Sequence, residues 1–215
     1  MSKRGSGCRR VGPAERKDAV RPGDGGHGDG RAERLAATAD RVRSVFGLTG
    51  VVLFPRHDAP HHRLDDRTAL FLSRVGLPDT VWFMARASLR ADDPVDLAGW
   101  YGGRGSVPAR CRHWLVLALF ADTTLALDPD DGAVYALAEG EEHLEYRPLH
   151  RDVASLVCAL TAFEVLLGER EEDGGGVGER ADALREEITA FDALPFADED
   201  SPWNLALEEV VDGIW

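Results

Sequence analysis

The chain has 215 residues, of which 25 are Lys or Arg and 38 are Asp or Glu, so its formal net charge is −13. Residues 1–34 carry nine basic and five acidic groups (+4), residues 35–121 carry eleven and eight (+3), and residues 122–215 carry five and twenty-five (−20). Because residues 122–215 are so acidic, they would repel a phosphate backbone. This charge excludes general binding of nucleic acid or anionic membranes. It would attract a basic protein surface.

The length suggests one domain, and 44% hydrophobic residues are enough for a sizeable core. No run approaches the ~18 apolar residues of a membrane span, and the opening residues 1–4 (MSKR) lead into Gly, Arg and Pro instead of the apolar segment of a secretory signal. We therefore expect a cytoplasmic protein.

The three cysteines, Cys8, Cys111 and Cys158, are an odd number without a CxxC pair. This usage fits a reducing compartment and argues against a disulfide framework or a cysteine-based zinc site. Cys158 lies inside an apolar helical pattern, which predicts a small core residue.

Residues 1–30 consist largely of Gly, Arg, Lys, Asp and Pro, with almost no large apolar side chain. Such a composition cannot bury enough surface to offset chain entropy, so it predicts a disordered basic tail. Residues 31–215 then form a single domain. The tail could contact RNA or the acidic body, but an untied terminus is the simpler interpretation.

Helical spacing predicts a first helix ending near Gly47, a short strand at residues 51–54, and a second helix capped by Asp65 or Asp66 and ending at Gly76. The middle of the chain predicts strands at residues 81–84, 113–120, 124–127 and 133–137, with 143–149 as a possible further strand. Their short, turn-rich connections are typical of an antiparallel meander.

Three helices are predicted to finish the chain, over residues 152–167, over residues 179–191, and from Ser201 as N-cap with Pro202 at the first helical position. Helices at both ends of a central antiparallel sheet define an α+β fold.

The densest group of metal-ligand types lies between the first strand and the second helix, but its spacing matches no standard zinc site, so we interpret it as a solvated loop. Residues 100–106 (WYGGRGS) lack the Gly-Lys-Ser/Thr ending of a phosphate-binding loop and are interpreted as a plain loop. No motif brings a nucleophile to a base, so a catalytic triad is unsupported. The group of possible metal ligands between the first strand and the second helix consists of His57, Asp58, His61, His62, Asp65 and Asp66.

Seven carboxylates fall in two predicted loops of the sheet, where they could lie close together. The spacing of a calcium-binding EF-hand is missing, so charge steering of a cationic partner is the better functional interpretation and simple solubility is the alternative. Trp100 could anchor the same interface, although a tryptophan more often serves a core. The predicted partner-binding residues are Asp128, Asp130, Asp131, Glu139, Glu141, Glu142, Glu145 and Trp100.

Four segments combine in order: residues 71–78 (FLSRVGLP), 114–118 (WLVLA), 124–137 (TLALDPDDGAVYAL) and 203–215 ending in LEEVVDGIW. The set resembles the SUKH superfamily, in particular its actinobacterial immunity-protein branch and the fourth SUKH subfamily, over about residues 31–215. The resemblance implies an α+β fold and a cytoplasmic antidote that binds and neutralises a toxin domain, commonly a nuclease or a nucleic-acid deaminase. It brings no catalytic residues, metal or cofactor.

The leading hypothesis is therefore a non-enzymatic immunity protein whose acidic surface binds a basic toxin domain, with no nucleic acid or membrane as partner. One alternative is a regulatory scaffold of the same superfamily, and a weaker one is a small metal-dependent enzyme that uses the group between His57 and Asp66. The oligomeric state and the identity of the toxin stay open at this point.

Overall fold

The computed structural model describes residues 26–54, 64–85, 95–102, 107–121, 123–139, 144–172 and 176–215. These residues form helices packed on antiparallel sheets, so the predicted α+β fold is confirmed. The helices are α1 (Gly26–Phe46), α2 (Asp66–Arg74), α3 (Leu97–Tyr101), α4 (Val153–Glu172), α5 (Val177–Phe191) and α6 (Pro202–Asp212), with a 3-10 helix at Leu194–Phe196.

The main sheet has five strands in chain order, and every neighbouring pair is antiparallel, which confirms the predicted meander. Two short strands, β1 (Val51–Val52) and β2 (Leu77–Pro78), pair separately beside it. The strands of the main sheet are β3 (Phe83–Ala85), β4 (Leu115–Phe120), β5 (Thr123–Leu127), β6 (Val134–Glu139) and β7 (Leu144–His150).

Both faces of the sheet are covered, which explains why β4 reads as a continuous apolar run, LVLALF, instead of an alternating one. Leu115 and Leu117 point into the main core beneath the helices. Val116 points the other way, into a smaller core with Trp114 and Leu97 of α3. The sheet thus forms the middle layer of the domain.

Helix α4 is the centre of the helical layer and contacts α1, α2, α5 and β7. It buries most of its circumference and leaves a narrow outward strip that includes Val165. Cys158 lies seven residues before Val165 and is exposed, so its prediction as a core residue was wrong. The helix is apolar enough that its one solvent-facing strip also carries small apolar side chains.

One predicted boundary also changes. Helix α1 begins at Gly26, so the last five residues of the predicted disordered tail are helical. Extending an existing helix costs far less than nucleating one, so a polar turn can continue the packed part of α1. Residues 1–25 of the tail, and residues 57–62 with their three histidines, lie outside the described residues.

The meander has two ends, because each strand reverses the direction of the last. The Asp-turn end (residues 128–133) lies beside Leu115 and His150, since Leu115 pairs with Leu127 and Val134 pairs with His150. The Ala121 end (residues 120, 121, 123, 139 and 144) lies at the other end of the same strands, where Phe120 pairs with Thr123. The six residues of β6 separate the two ends by about 20 Å.

The Asp-turn end is packed against the start of α2. Asp65 caps this helix as predicted, accepting hydrogen bonds from the amides of Arg67 and Thr68, while its own amide donates to the Pro129 carbonyl at 2.9 Å. Gly132 has φ of +79°, and a Cβ there would lie 2.2 Å from the Thr68 hydroxyl oxygen. The turn therefore requires glycine on both conformational and steric grounds.

Gly132→Ala should destabilise the protein by at least about 2 kcal/mol, because it adds the left-handed backbone penalty to a clash with Thr68. Urea unfolding followed by circular dichroism measures the change. Gly178→Ala is the matched control: this glycine lies in α5 with no atom within 4 Å of an added Cβ, so alanine should be neutral or stabilise by up to ~1 kcal/mol. Equal effects of the two changes would contradict the packing of the turn.

Candidate functional site

The carboxylates of the Asp-turn shape the turn itself. Asp128 Oδ1 accepts a hydrogen bond from the amide of Asp130 at 3.0 Å, and Asp131 Oδ1 accepts one from the amide of Ala133 at 2.9 Å. Aspartates commonly stabilise turns in this way. Two of the three predicted partner-binding aspartates therefore have a local structural role, whereas the side chain of Asp130 is largely exposed.

Basic side chains surround the Asp-turn end. Arg34, Arg67 and Arg151 line a groove of about 550 Å³ together with Asp131 and Asp152. Arg67 donates to the Asp152 carboxylate at 2.8 Å. The field at this end is therefore mixed in sign, which weakens its attraction for a cationic partner.

His113 contacts the same turn, with Nε2 3.6 Å from Asp130 Oδ2 and 4.0 Å from Asp128 Oδ1. Among the described residues these three form the one group of His, Cys, Asp or Glu side chains close enough to share a metal ion, with ligand atoms within 4.8 Å of one another. A structural zinc site normally uses four ligands. The three side chains thus supply an incomplete set on an open surface.

The two predicted acidic loops do not lie together. Glu139 ends β6, and Glu145 pairs with Ala138 at the start of β7, so both belong to the Ala121 end while the aspartates belong to the Asp-turn end. Sequence distance misled the prediction, because a single strand of a meander separates consecutive turns by its full length. Glu145 is exposed, and Glu141 and Glu142 lie outside the described residues.

Trp100 lies at the Asp-turn end. It is part of α3 and not of a loop as predicted, because Asp96 caps this helix by accepting from the Gly99 amide at 2.7 Å. The helix is tied to the start of β4, where the Leu97 amide donates to the Trp114 carbonyl at 2.9 Å. Trp100 is 37% exposed.

A different acidic segment joins the Ala121 end. Asp198 and Asp200 line a groove of about 280 Å³ with Thr123 and Ala138, and Glu209 lines a second groove with Ala121. The two grooves flank the β4–β5 hairpin. The sequence carried a signal for this surface that the loop-based interpretation missed: residues 186–215 contain nine acidic groups and no Lys or Arg.

Arg147 is drawn into this acidic segment. Its guanidinium lies 2.6 Å from Asp198 Oδ2 and 3.8 Å from Asp200 Oδ2. The pairs fix the turn before α6 against the outer strand β7, although such exposed pairs add little stability. The surface keeps a strong negative excess, since Glu199 and Glu208 are also exposed.

A buried network has the residue types of a catalytic triad without its arrangement. His150 is fully buried, its Nε2 accepts a hydrogen bond from the Trp203 indole at 2.8 Å, and its Nδ1 lies 2.9 Å from Ser155 Oγ. Ser155 in turn donates to Asp192. In a triad the histidine accepts the serine proton at one ring nitrogen and donates to the carboxylate from the other. Here the Ser155 hydroxyl donates to Asp192 instead, and all three side chains are buried in the core.

The network holds its histidine neutral and its aspartate charged. Burial lowers the pKa of His150 below its ordinary value, and the nearby Asp192 carboxylate, 3.6 Å from Nδ1, only partly opposes this. Burial alone would raise the pKa of Asp192, but the nearby His150 ring and hydrogen bonds from Ser155 and the amides of Arg151 and Leu194 hold it well below its usual range. With Nε2 accepting, the ring proton of His150 sits on Nδ1.

The described residues thus form a meander covered on both faces, with charged surfaces at both ends and buried polar groups that serve its structure. A model of the SUKH-4 immunity protein family matches residues 37–209. The chain belongs to this family, which confirms the resemblance seen in its sequence, and its role is that of an immunity protein. No curated protein and no solved structure matches the chain.

Among the helices of the described residues, none is both long and apolar enough to cross a bilayer.

Acidification should destabilise the fold below about pH 6.5, because the unfolded chain then protonates His150 while the native network keeps it neutral. Below about pH 4 the unfolded chain also protonates Asp192, whose native pKa is lower, and stability falls further. Urea midpoints across this pH range measure the effect.

His150→Gln tests the first part of this profile. It should lower the free energy of unfolding near neutral pH, because the Trp203 indole and Ser155 lose the imidazole to which they are hydrogen-bonded. It should also remove the decline that begins near pH 6.5. A wild-type stability that stays constant down to about pH 5 would contradict the neutral buried histidine.

Proposed function

We propose that this immunity protein acts in the cytoplasm by binding a cognate basic toxin domain stoichiometrically, without catalysis of its own. Membership of the SUKH-4 immunity protein family supports the role, and the charge of −20 over residues 122–215 supports an electrostatic mode of binding. The proposed toxin acts on nucleic acid, as a nuclease or a nucleic-acid deaminase, because such an enzyme needs a cationic surface to hold a polyanion.

The Ala121 end is the surface that best fits such a partner. It collects acidic groups from the start of β7, the turn before α6 and α6 itself, among them Glu145, Asp198, Asp200 and Glu209. One arginine, Arg147, pairs with two of these carboxylates, whereas at the Asp-turn end three arginines line the groove beside Asp131. Asp130 and Trp100 can still extend the contact, but the larger excess of negative charge favours the Ala121 end as its centre.

The mechanism is competition for the polyanion site. Negative charge on the immunity protein speeds its encounter with a cationic surface and orients it on approach. Once bound, its carboxylates occupy the positions where the toxin would hold substrate phosphates, so the substrate is excluded by charge and by volume. Nothing in this mechanism requires a catalytic group, and the buried His150 network is fully used within the core.

In the metal-dependent alternative, one candidate ligand, Asp65, has a structural role. Asp65 caps α2 through hydrogen bonds to the amides of Arg67 and Thr68, and its own amide donates to Pro129. A carboxylate that holds a helix end and a turn together serves the structure, so we propose no metal role for the group between His57 and Asp66.

The charge proposal is tested by reversing two carboxylates at each end of the sheet. Glu145→Lys/Glu199→Lys should slow association with the toxin by about tenfold or more, because it reverses charge at the Ala121 end. Asp66→Lys/Asp130→Lys makes the same change in net charge at the Asp-turn end and should have a smaller effect. Stopped-flow or biosensor association rates at low and high salt give the comparison, and the wild-type rate should fall as salt rises.

The toxin for this measurement is identified by neutralisation of growth arrest, with the toxin domain encoded beside this gene and a panel of nuclease and deaminase toxin domains as candidates. Inactive toxin variants then serve for binding. Rescue of growth by none of them, or an association rate indifferent to salt and to both charge reversals, would refute the proposed function or its electrostatic part respectively.

A further inference from the structure

An apolar groove opens at the Ala121 end, on the acidic half of the molecule. We call it the tryptophan groove; it lies between β3 and the C-terminal residues, is lined by Trp82 and Trp215, and has a volume of about 320 Å³. Val81 is 96% exposed, Ile214 71% and Met84 45%, and all three line it. Large apolar side chains left this open in one place indicate a binding surface.

The floor of the groove is rigid. The rings of Trp82 and Trp215 meet edge to face with centroids 6.0 Å apart, and both pack on Phe163, at 5.1 and 5.3 Å. Trp82 also packs on Phe120 at 6.1 Å. Aromatic rings held in this way lose little further conformational entropy when a partner binds, so contacts made on them convert well into affinity.

Two carboxylates fix the indoles and give the groove its charge. The Trp82 indole donates to Glu164 Oε2 at 2.9 Å, and the Trp215 indole donates to Glu209 Oε2. Glu209 also lines the groove. The result is an apolar floor with negative charge at its edge, and the surrounding residues 186–215 contribute no Lys or Arg.

The sign of this charge selects the occupant. A second copy of the chain would bring the same carboxylates face to face, and like charges at an interface cost several kcal/mol. A cationic surface would be attracted instead. An apolar floor with an acidic edge therefore fits an aliphatic or aromatic side chain flanked by Lys or Arg.

We infer that the tryptophan groove is the anchor point of the toxin interface, where one apolar side chain of the toxin's basic surface inserts between Val81, Met84 and Ile214. The inference rests on the proposed function and adds that the carboxylates and the groove have different roles in binding. The carboxylates set the rate of encounter, while the groove sets how long the complex lasts, because buried apolar anchors act mainly on dissociation.

The test removes apolar surface without changing charge. Val81→Ser/Met84→Ser should raise the dissociation rate of the inactive toxin by at least about tenfold and leave its association rate and salt dependence close to wild type. Leu48→Ser is the matched control, since Leu48 is 82% exposed in the turn after α1 and does not line the groove. Biosensor traces with the toxin identified by growth rescue give both rates.

The outcomes separate this inference from the proposed function. If the wild type neutralises no toxin, both fail. If the wild type binds a toxin and the double variant dissociates like the Leu48→Ser control, only the groove is refuted as the anchor. Sedimentation of the wild type without toxin tests whether a second copy of the chain occupies the groove instead. If the wild type is a dimer and Val81→Ser/Met84→Ser makes it a monomer, the groove binds a second copy and the inference is overturned.

Both serine changes lie at exposed positions, so the fold should survive them, and an unchanged urea midpoint verifies this. Quenching or blue shift of tryptophan fluorescence on toxin binding is a second readout, because Trp82 and Trp215 line the groove. A toxin that binds the wild type without altering this fluorescence would also contradict insertion at the groove.

Discussion

The position of the C-terminal helix depends on one buried side chain, Trp203. Its indole donates to His150 at 2.8 Å, and its ring packs on Phe120 and Phe163 with centroids 4.7 and 5.7 Å away. Through His150 and Ser155 the contact continues to Asp192, so β7, α4, the turn after α5 and α6 share one closed set of hydrogen bonds. Burying any one of these polar groups without its partners would cost free energy, whereas together they satisfy one another's hydrogen bonds. The network is therefore expected to form or break as a unit.

This constraint has a functional consequence, because α6 carries acidic and apolar residues to the Ala121 end. With Trp203 fixed in the core, Glu209 and Trp215 are held against Ala121 and Trp82. The same turn of chain places Asp198 and Asp200 beside β7 through Arg147. The partner surface that we propose is therefore built by the core, and a change that loosened Trp203 would disperse the surface without touching it.

The Asp-turn shows the converse, since charge there is largely explained by structure. Asp128 and Asp131 accept backbone hydrogen bonds within the turn, Pro129 accepts the amide of Asp65, and Gly132 allows the close approach to Thr68. One of the four segments that carry the resemblance to immunity proteins, residues 124–137, is thus explained in part by the packing of this turn on α2. A sequence motif shared by a family can therefore reflect the family's fold, while the surface that binds a partner lies elsewhere in the molecule.

The α+β class, the order of the strands, the caps at Asp65 and Ser201, and the family could be predicted before folding was considered, because these depend on local periodicity, turn chemistry and ordered motifs. The strong acidity of residues 122–215 is likewise a property of composition. The location of that charge follows from the fold, because a meander sends consecutive turns to opposite ends and so separates Asp130 from Glu145. Likewise, His150, Ser155, Asp192 and Trp203 are scattered along the chain, and only packing brings them into contact. Side chains that lie far apart in sequence have no characteristic spacing that would reveal their contact. The tryptophan groove, which is lined by both Val81 and Ile214, could therefore be found only in the folded protein.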